Sequence, residues 1–311
     1  MQETSTARCY WVADIGGTSL RWAIVSEEGE VLETRRSATS VAHWEAAWNS
    51  PVRSTCAGAV VAVAGPVVDG VVSLTNGNLL LDERRLTAQM GRPVRVVNDL
   101  VAAAAGVAVN AAGRQFFRGG GADGPFWVVG LGTGVGASLV VPGKSHTTVL
   151  PGEFGHSAVS PWDFGLGDAD LLTPIEDLLS GSGFIDWARR WQSEGRIALT
   201  ADALGLDVDA GVVLAAPYAE WSALRKAYSR LLGAVLGDLA MAVTVPGGMH
   251  LIGGFAQAML PHVDMAEFER GFCGSRRLRL SVENVGVSVV DGNPALVGAA
   301  AIGQGRVVVG A

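Results

Sequence analysis

Hydrophobic residues fall along the first half of this chain in short, β-branched runs broken by Gly-rich turns. Tyr10 to Ile15 and Leu20 to Val25 are two such runs, joined by Gly16, Gly17, Thr18 and Ser19. The pattern predicts two strands around a tight turn. A turn at Glu28-Gly29 leads to a third strand near Val31. Ala57 to Ala64 reads as a buried strand ended by Gly65-Pro66, and Val67 to Leu74 as a hairpin about Asp69-Gly70. Val94 to Val97 is a short strand, after which Asn98-Asp99 opens an Ala-rich helix from about Leu100.

The opening pattern then returns. Trp127 to Val129 leads into a second Gly-rich turn, Gly130 to Gly136, followed by a strand from Ala137 to Val141 and a turn at Pro142 to Ser145. With Trp11 set against Trp127, both segments read strand, Gly/Thr turn, strand, turn, strand. The separation is too long for a solenoid. It reads either as two related domains or as a coincidence of two Val- and Gly-rich hairpins. The second half is more helical. Leu224, Leu231, Leu232, Val235, Leu239 and Ala242 share one face of a helix over Trp221 to Val243. His250 to Ile252 is a strand ending at Gly253-Gly254, a helix runs from Phe255 to Pro261, and Leu280 to Val290 is strand-like. Asn293 caps a last helix from Pro294 to Ile302.

Composition narrows the classes. The chain has 311 residues, 49% of them hydrophobic and 17% charged, which is globular and long enough for two domains. A net charge of −7 disfavours a nucleic-acid partner. The apolar stretches are broken by Gly, Pro or Asp238, so no membrane span is expected, and no secretory leader is expected from the opening residues. Cys9, Cys56 and Cys273 lie far apart without metal-ligand spacing, as expected of a reduced, cytoplasmic protein.

Three phosphate-loop patterns fail. Gly143-Lys144-Ser145 has Ser138 where a P-loop needs Gly, and no helix follows it. Gly119, Gly121 and Gly124, like Gly132, Gly134 and Ala137, carry dinucleotide-fingerprint spacing but lead into strands. Tight Gly turns still hold anions, because their backbone N–H groups converge on one concavity. Gly16, Gly17 and Thr18, with Gly132, Thr133 and Gly134, are therefore candidate phosphate binders, although most single Gly turns are merely hairpins. Asp14 precedes the first turn and suits Mg²⁺ or its waters. Asp99, between strand and helix, is an N-cap or a general base for a hydroxyl. Pro151, Gly152 and Gly155 argue against a helix around Glu153 and His156, leaving a loop with two polar side chains suited to sugar hydroxyls or simply facing water. Glu176 is a weaker candidate, readable as an exposed helical residue.

Taken in order, these motifs resemble bacterial glucokinases of the hexokinase, actin and Hsp70 superfamily, from about residue 10 to 303. The resemblance is carried by Asp14 to Thr18 with Arg21, Ala64 to Val67 with Thr75-Asn76, and Asn98-Asp99. Gly130 to Gly136, Leu150 to His156, Ile175 to Gly181, Gly253-Gly254 and Asn293-Pro294 complete it. It implies an α/β fold of two related domains of the actin-like ATPase (ribonuclease H-like) type, with mixed sheets flanked by helices and a cleft between. The small domain would span 9–107, completed by the C-terminal helix at 293–311, and the large domain 108–292.

The implied activity is transfer of the γ-phosphate of ATP to glucose, giving glucose 6-phosphate, with Mg²⁺, in a cytoplasmic homodimer. By position Asp99 is the base, and Asn98, Glu153, His156 and Glu176 are sugar ligands. Gly253 and Gly254 would lie near adenosine. The chain departs from the family at Thr18-Ser19, at Leu79 and Leu80 after Gly77-Asn78, and between His156 and Glu176, where Trp162 and Phe164 stand. Another hexose therefore stays open, as does a non-catalytic sugar- or nucleotide-binding regulator. With no Cys after Gly155-His156, no structural zinc is expected.

Overall fold

The computed structural model describes residues 8–74, 78–110, 113–119, 121–160, 164, 172–199, 209–274 and 282–310. Thr75, Asn76, Gly77 and Trp162 lie outside the described residues. In chain order the first stretch runs β1 (Cys9–Ile15), β2 (Ser19–Ser26), β3 (Val31–Ala38), α1 (Val41–Trp48), β4 (Gly58–Val63), β5 (Val71–Leu74), β6 (Leu79–Asp82), α2 (Glu83–Met90), β7 (Val94–Asn98) and α3 (Asp99–Asn110). There follow β8 (Gly113–Phe117), β9 (Phe126–Leu131), β10 (Val135–Val141), β11 (Thr147–Leu150), β12 (Ala158–Val159), β13 (Thr173–Pro174), α4 (Glu176–Leu179) and α5 (Gly181–Ser193). The last stretch holds α6 (Ala210–Ala215), α7 (Tyr218–Ala242), β14 (Met249–Ile252), α8 (Gly254–Met259), α9 (Met265–Cys273), β15 (Val287–Val290), α10 (Ala295–Gly303) and β16 (Val307–Val309).

The chain divides into two units. One comprises Met1–Ala111, Ser138–Pro151 and Asn293–Ala311, the other Ala112–Ala137 and Gly152–Gly292. The first is built on a mixed sheet of order β3-β2-β1-β4-β7. β1, β2 and β3 are antiparallel neighbours, whereas β1, β4 and β7 run parallel. β4 is buried along its whole length, as its continuous Gly/Ala/Val run requires of a strand covered on both faces. One face carries the indoles of Trp11, Trp22, Trp44 and Trp48, with Trp11 edge-on to Trp48 at 5.5 Å. α3 and α10 lie against each other so closely that a Cβ at Gly106 would overlap the Pro294 carbonyl, and one at Gly298 the Ala102 carbonyl. The Ala- and Gly-rich composition of both helices is the consequence of that crossing.

In the second unit β9, β14 and β15 run parallel in that order, and β8 closes the edge antiparallel to β15. Around α7 the aromatic core joins Phe184, Trp221, Tyr228 and Phe255, with Phe184 edge-on to Tyr228 at 5.5 Å. The buried Tyr228 hydroxyl donates to the Leu179 carbonyl at 3.0 Å, and desolvation holds its pKa well above the usual phenol value.

Several sequence expectations change. The strand-like run from Leu280 contracts to Val287–Val290, because Val282 to Asn284 form a helical turn and 275–281 lie outside the described residues. Asp69-Gly70 is a tight turn in which both residues have positive φ, but only the bridge between Val68 and Val71 closes it. β5 pairs instead with β6. The α-helix from Gly254 ends at Met259, and Pro261 sits inside the 3₁₀ turn that follows it, Leu260–His262. Gly143, Lys144 and Ser145 join the antiparallel β10 and β11, as a hairpin turn should.

Candidate active site

In the first unit the candidate residues collect at the carboxyl ends of parallel strands, a place where open α/β sheets bind ligands. Asp14 faces Ala62 in register, Ile15 faces Val63, and Val63 faces Asn98. Neighbouring strands are about 4.8 Å apart, so the backbones at Ile15 and Asn98 stand roughly 10 Å from each other.

Asp14 is 8% exposed, and its Oδ2 accepts from Arg21 at 2.8 Å and from Asn293 Nδ2 at 3.1 Å. Arg21 reaches it because the hairpin register sets Arg21 directly opposite Asp14. Asn293 reaches it from the far end of the sequence, while its Oδ1 accepts from the Ala295 N–H at 2.9 Å and caps α10. Among the described residues no three His, Cys, Asp or Glu side chains gather as a metal-binding group. A single carboxylate with one oxygen pinned from two sides fits Mg²⁺ that is held mainly by nucleotide phosphates and water.

The first Gly turn is tied back through its carbonyl oxygens. The Gly16 N–H donates to the Ser19 carbonyl at 2.9 Å. Thr39 donates its hydroxyl to the Gly16 carbonyl at 2.6 Å and its N–H to the Thr18 carbonyl at 3.2 Å.

Asn98 and Asp99 divide their work in an unexpected way. The cap of α3 is Asn98, whose Oδ1 accepts from the N–H groups of Leu100 and Val101 at 2.9 and 3.2 Å. Its Nδ2 donates to the Gly65 carbonyl at 3.1 Å, which ties in the Ala64 to Val67 motif. Asp99, half-buried, is the first residue of the helix, and its Oδ1 accepts from the Leu100 N–H at 2.8 Å.

The second unit repeats the arrangement. β9 ends at Leu131, the Gly132, Thr133 and Gly134 turn follows, and β14 ends alongside at Ile252, just before Gly253. Gly253 has φ +107, and a Cβ there would overlap the Leu131 carbonyl, so only Gly lets the two strand ends lie this close. The turn's carbonyl oxygens are again engaged. Gly132 accepts from the Gly181 N–H at 2.9 Å, Thr133 from the Ser182 hydroxyl at 3.2 Å, and Gly134 from the Gly132 N–H at 2.9 Å.

Glu153, His156 and Glu176 are brought together here. His156 Nε2 lies 3.8 Å from Glu153 Oε2, and its Nδ1 lies 4.0 Å from Glu176 Oε1. Phe154–His156 forms a single 3₁₀ turn, so the expectation of a loop without helix is corrected only by that turn. A Cβ at Gly155 would overlap the Val135 carbonyl, which places this loop flat on the start of β10. The β12–β13 pair and the bond from the Ile175 N–H to the Ser157 carbonyl, 2.8 Å, return the chain so that Glu176 meets His156.

Glu176 also does something the sequence did not announce. Its Oε2 accepts from the Val135 N–H at 3.0 Å, at the exit of the second Gly turn. One carboxylate thus touches both the His156 loop and the second Gly turn. Thr39, Ser182 and Asn293 were likewise missed as supports. Their partners lie up to 279 residues away, and a hydroxyl or amide at a turn carries no periodic signal.

The glucokinase family model matches residues 11–305. A glucokinase of Sinorhizobium medicae is 31% identical over 281 residues, which cover 84% of this chain and 81% of that protein. Among solved structures, a Balamuthia mandrillaris glucokinase in complex with glucose superposes with a TM-score of 0.77 at 21% identity, covering 97% of this chain and 95% of its own. A ROK family glucokinase from Streptomyces griseus in complex with glucose and AMPPNP gives 0.65 at 24% identity, covering 94% and 98%. Both structures share the actin-like ATPase fold of sugar kinases with this chain. From residue 11 to residue 305, through both Gly turns and the Glu153 loop, this chain belongs to the glucokinase family.

Proposed function

We propose that Asp99 is the general base with which this glucokinase-family enzyme phosphorylates glucose from ATP. In that reading the Asp99 carboxylate takes the proton of the attacking sugar hydroxyl, the hydroxyl oxygen bonds to the γ-phosphorus, and ADP leaves. The observation that carries it is the division of labour at the start of α3. Asn98 caps the helix through the Leu100 and Val101 N–H groups, and Asp99, whose Oδ1 accepts from the Leu100 N–H, is the first helical residue at the carboxyl end of β7. Glu153, His156 and Glu176 hold the remaining sugar hydroxyls, a role supported by the His156 ring, whose two nitrogens lie within 4.0 Å of the Glu153 and the Glu176 carboxylates. Asn98 adds one donor, since its Nδ2 carries a second hydrogen beside the one given to Gly65.

The phosphates are assigned to the N–H groups of Gly17 and Thr18 and of Thr133 and Gly134, the side of each turn whose carbonyls are tied inward. Gly253 and Gly254, beside the second turn, are assigned to the adenosine end. Mg²⁺, when bound, spreads the charge of the transferring phosphoryl group. Asp14, held by Arg21 and Asn293, is the residue proposed to hold it through water. The names of the relatives support ATP and glucose as the substrates. No helix among the described residues is long and apolar enough to cross a membrane. ADP release from Mg-ATP measured against a panel of hexoses tests the reading. Turnover dependent on glucose is expected, and turnover with a different hexose alone would overturn the sugar assignment.

A further inference from the structure

Two thiols of the first unit take no part in anything assigned above. Cys9 opens β1, and Cys56 stands just ahead of β4, which runs parallel beside it. The register of Tyr10 with Gly58 and the bond from the Ala57 N–H to the Cys9 carbonyl, 2.8 Å, hold the two backbones side by side. Their sulfurs are 3.2 Å apart. A disulfide bond is about 2.05 Å long, so each sulfur has roughly half an ångström to travel to form one.

The two thiols differ in access. Cys9 is partly exposed, whereas Cys56 is fully buried. Burial, helped by its hydrogen bond with Cys9, pushes the Cys56 thiol up to about 12, so it stays protonated and is shielded from solvent. With its sulfur 3.2 Å from that of the partly exposed Cys9, the buried Cys56 is placed to capture an oxidation that begins at Cys9.

We propose that Cys9 and Cys56 form a site of reversible oxidation that reacts with hydroperoxides and with low-molecular-weight disulfides. With a hydroperoxide, the Cys9 sulfur attacks the peroxide oxygen, giving a Cys9 sulfenic acid and an alcohol or water. The Cys56 sulfur then displaces the sulfenic hydroxyl, and the Cys56 proton leaves with it as water. Two thiols lose two electrons and two protons, and the hydroperoxide takes up both. With a small disulfide, Cys9 first forms the mixed disulfide and Cys56 expels the second small thiol, so one disulfide is exchanged for another.

The position of the bond decides its consequence. Cys9 and Cys56 lie at the amino ends of β1 and β4, while Asp14, the first Gly turn and Gly65 lie at or beyond the carboxyl ends. Closure therefore staples the two strands across a sequence separation of 47 residues without touching Asp14 or Asn98. The site acts on stability and leaves turnover in place, independently of the catalytic roles proposed above. Cys273, buried in the second unit where the Arg118 guanidinium donates to its sulfur at 3.4 Å, serves as an internal control.

The test treats the reduced full chain with hydrogen peroxide or with glutathione disulfide, then alkylates it under denaturing conditions. The wild type is expected to keep one alkylatable thiol of its three, to lose two hydrogens in intact mass, and to give a Cys9–Cys56 linked peptide. Dithiothreitol should restore all three thiols. The oxidised form should melt roughly 5–10 °C higher than the reduced form. Cys56→Ala should trap glutathione on Cys9, and Cys9→Ser, at the more exposed position, should leave Cys56 unmodified. Three thiols still alkylatable in the treated wild type would overturn the proposal. So would accumulation of Cys9 as sulfinic acid in the wild type, or a bond that involves Cys273.

Discussion

Glu176 is the residue whose replacement separates the two tasks the geometry gives it. Its Oε2 accepts from the Val135 N–H at 3.0 Å, and Val135 is 8% exposed. Glu176→Ala leaves that donor unpaired at the exit of the second Gly turn, at a cost of about 1–3 kcal/mol. If the turn binds ATP phosphates, that loss appears as a fall of roughly 5- to 150-fold in kcat/KM for ATP. A water admitted into the vacated space would move the value toward the lower end. Glu176→Gln keeps a carbonyl oxygen for Val135 and removes only the charge beside His156 Nδ1, 4.0 Å away. It is expected to hold the KM for ATP within about twofold of wild type while raising the KM for glucose about tenfold or more, a hydrogen bond to a charged group being worth ~1.5–3 kcal/mol. Steady-state kinetics with each substrate varied in turn, beside melting curves to verify folding, reads both effects. An alanine variant with wild-type kcat/KM for ATP would refute the coupling and leave Glu176 a residue of the sugar alone.

Other consequences follow from the same geometry. Asn293→Asp keeps the α10 cap but turns a donor to Asp14 into a second carboxylate, so the Mg²⁺ concentration for half-maximal turnover should rise several-fold. Asn293→Ala loses the cap as well and should cost about 1 kcal/mol in a denaturant titration. Gly155→Ala drives a methyl into the Val135 carbonyl and should weaken glucose binding about tenfold or more by calorimetry, since displacing a site by an ångström costs far more than one contact.

Desolvation lowers the pKa of His250, which packs edge-on to Phe126 and bonds Ser288 Oγ at 2.7 Å. The unfolded chain therefore binds more protons than the folded one as pH falls through the ordinary His range, near 6.5. Stability should be full above that value and decline below it. His262, lowered by desolvation and by Arg225, adds to the slope. Melting temperatures between about pH 8 and 5.5 should show the decline in wild type, and His250→Gln should flatten it.

Much of this was legible in the residues themselves. The continuous Gly/Ala/Val run marks β4 because a strand covered on both faces tolerates little else, and the Gly clusters mark both turns by breaking the apolar runs on either side of them. Glu153 and His156 stood out because Gly152 and Gly155 strip their surroundings of other side chains. What did not show was anything decided by tertiary approach. That Asn98 and not Asp99 caps α3 depends on the chain's entry angle into the helix. That Asn293 steadies Asp14 depends on α10 packing against α3 through Gly298 and Gly106. Glu176 looked like a surface helical residue because its partners, Val135 and His156, lie 41 and 20 residues away and are reached only through the β12–β13 pair. The Val-rich stretch from Leu280 read as one long strand because periodicity alone does not separate a buried helical turn from a strand.

The central claim is that Asp99 removes the proton from the attacking hydroxyl. Glucose-dependent ADP release should be measured for wild type and Asp99→Asn at saturating Mg-ATP, with glucose affinity measured separately by calorimetry. The account predicts a loss of about 10²- to 10⁴-fold in kcat with glucose binding retained, as removal of a general base requires. Asp99→Asn turning over glucose at close to the wild-type rate would contradict it.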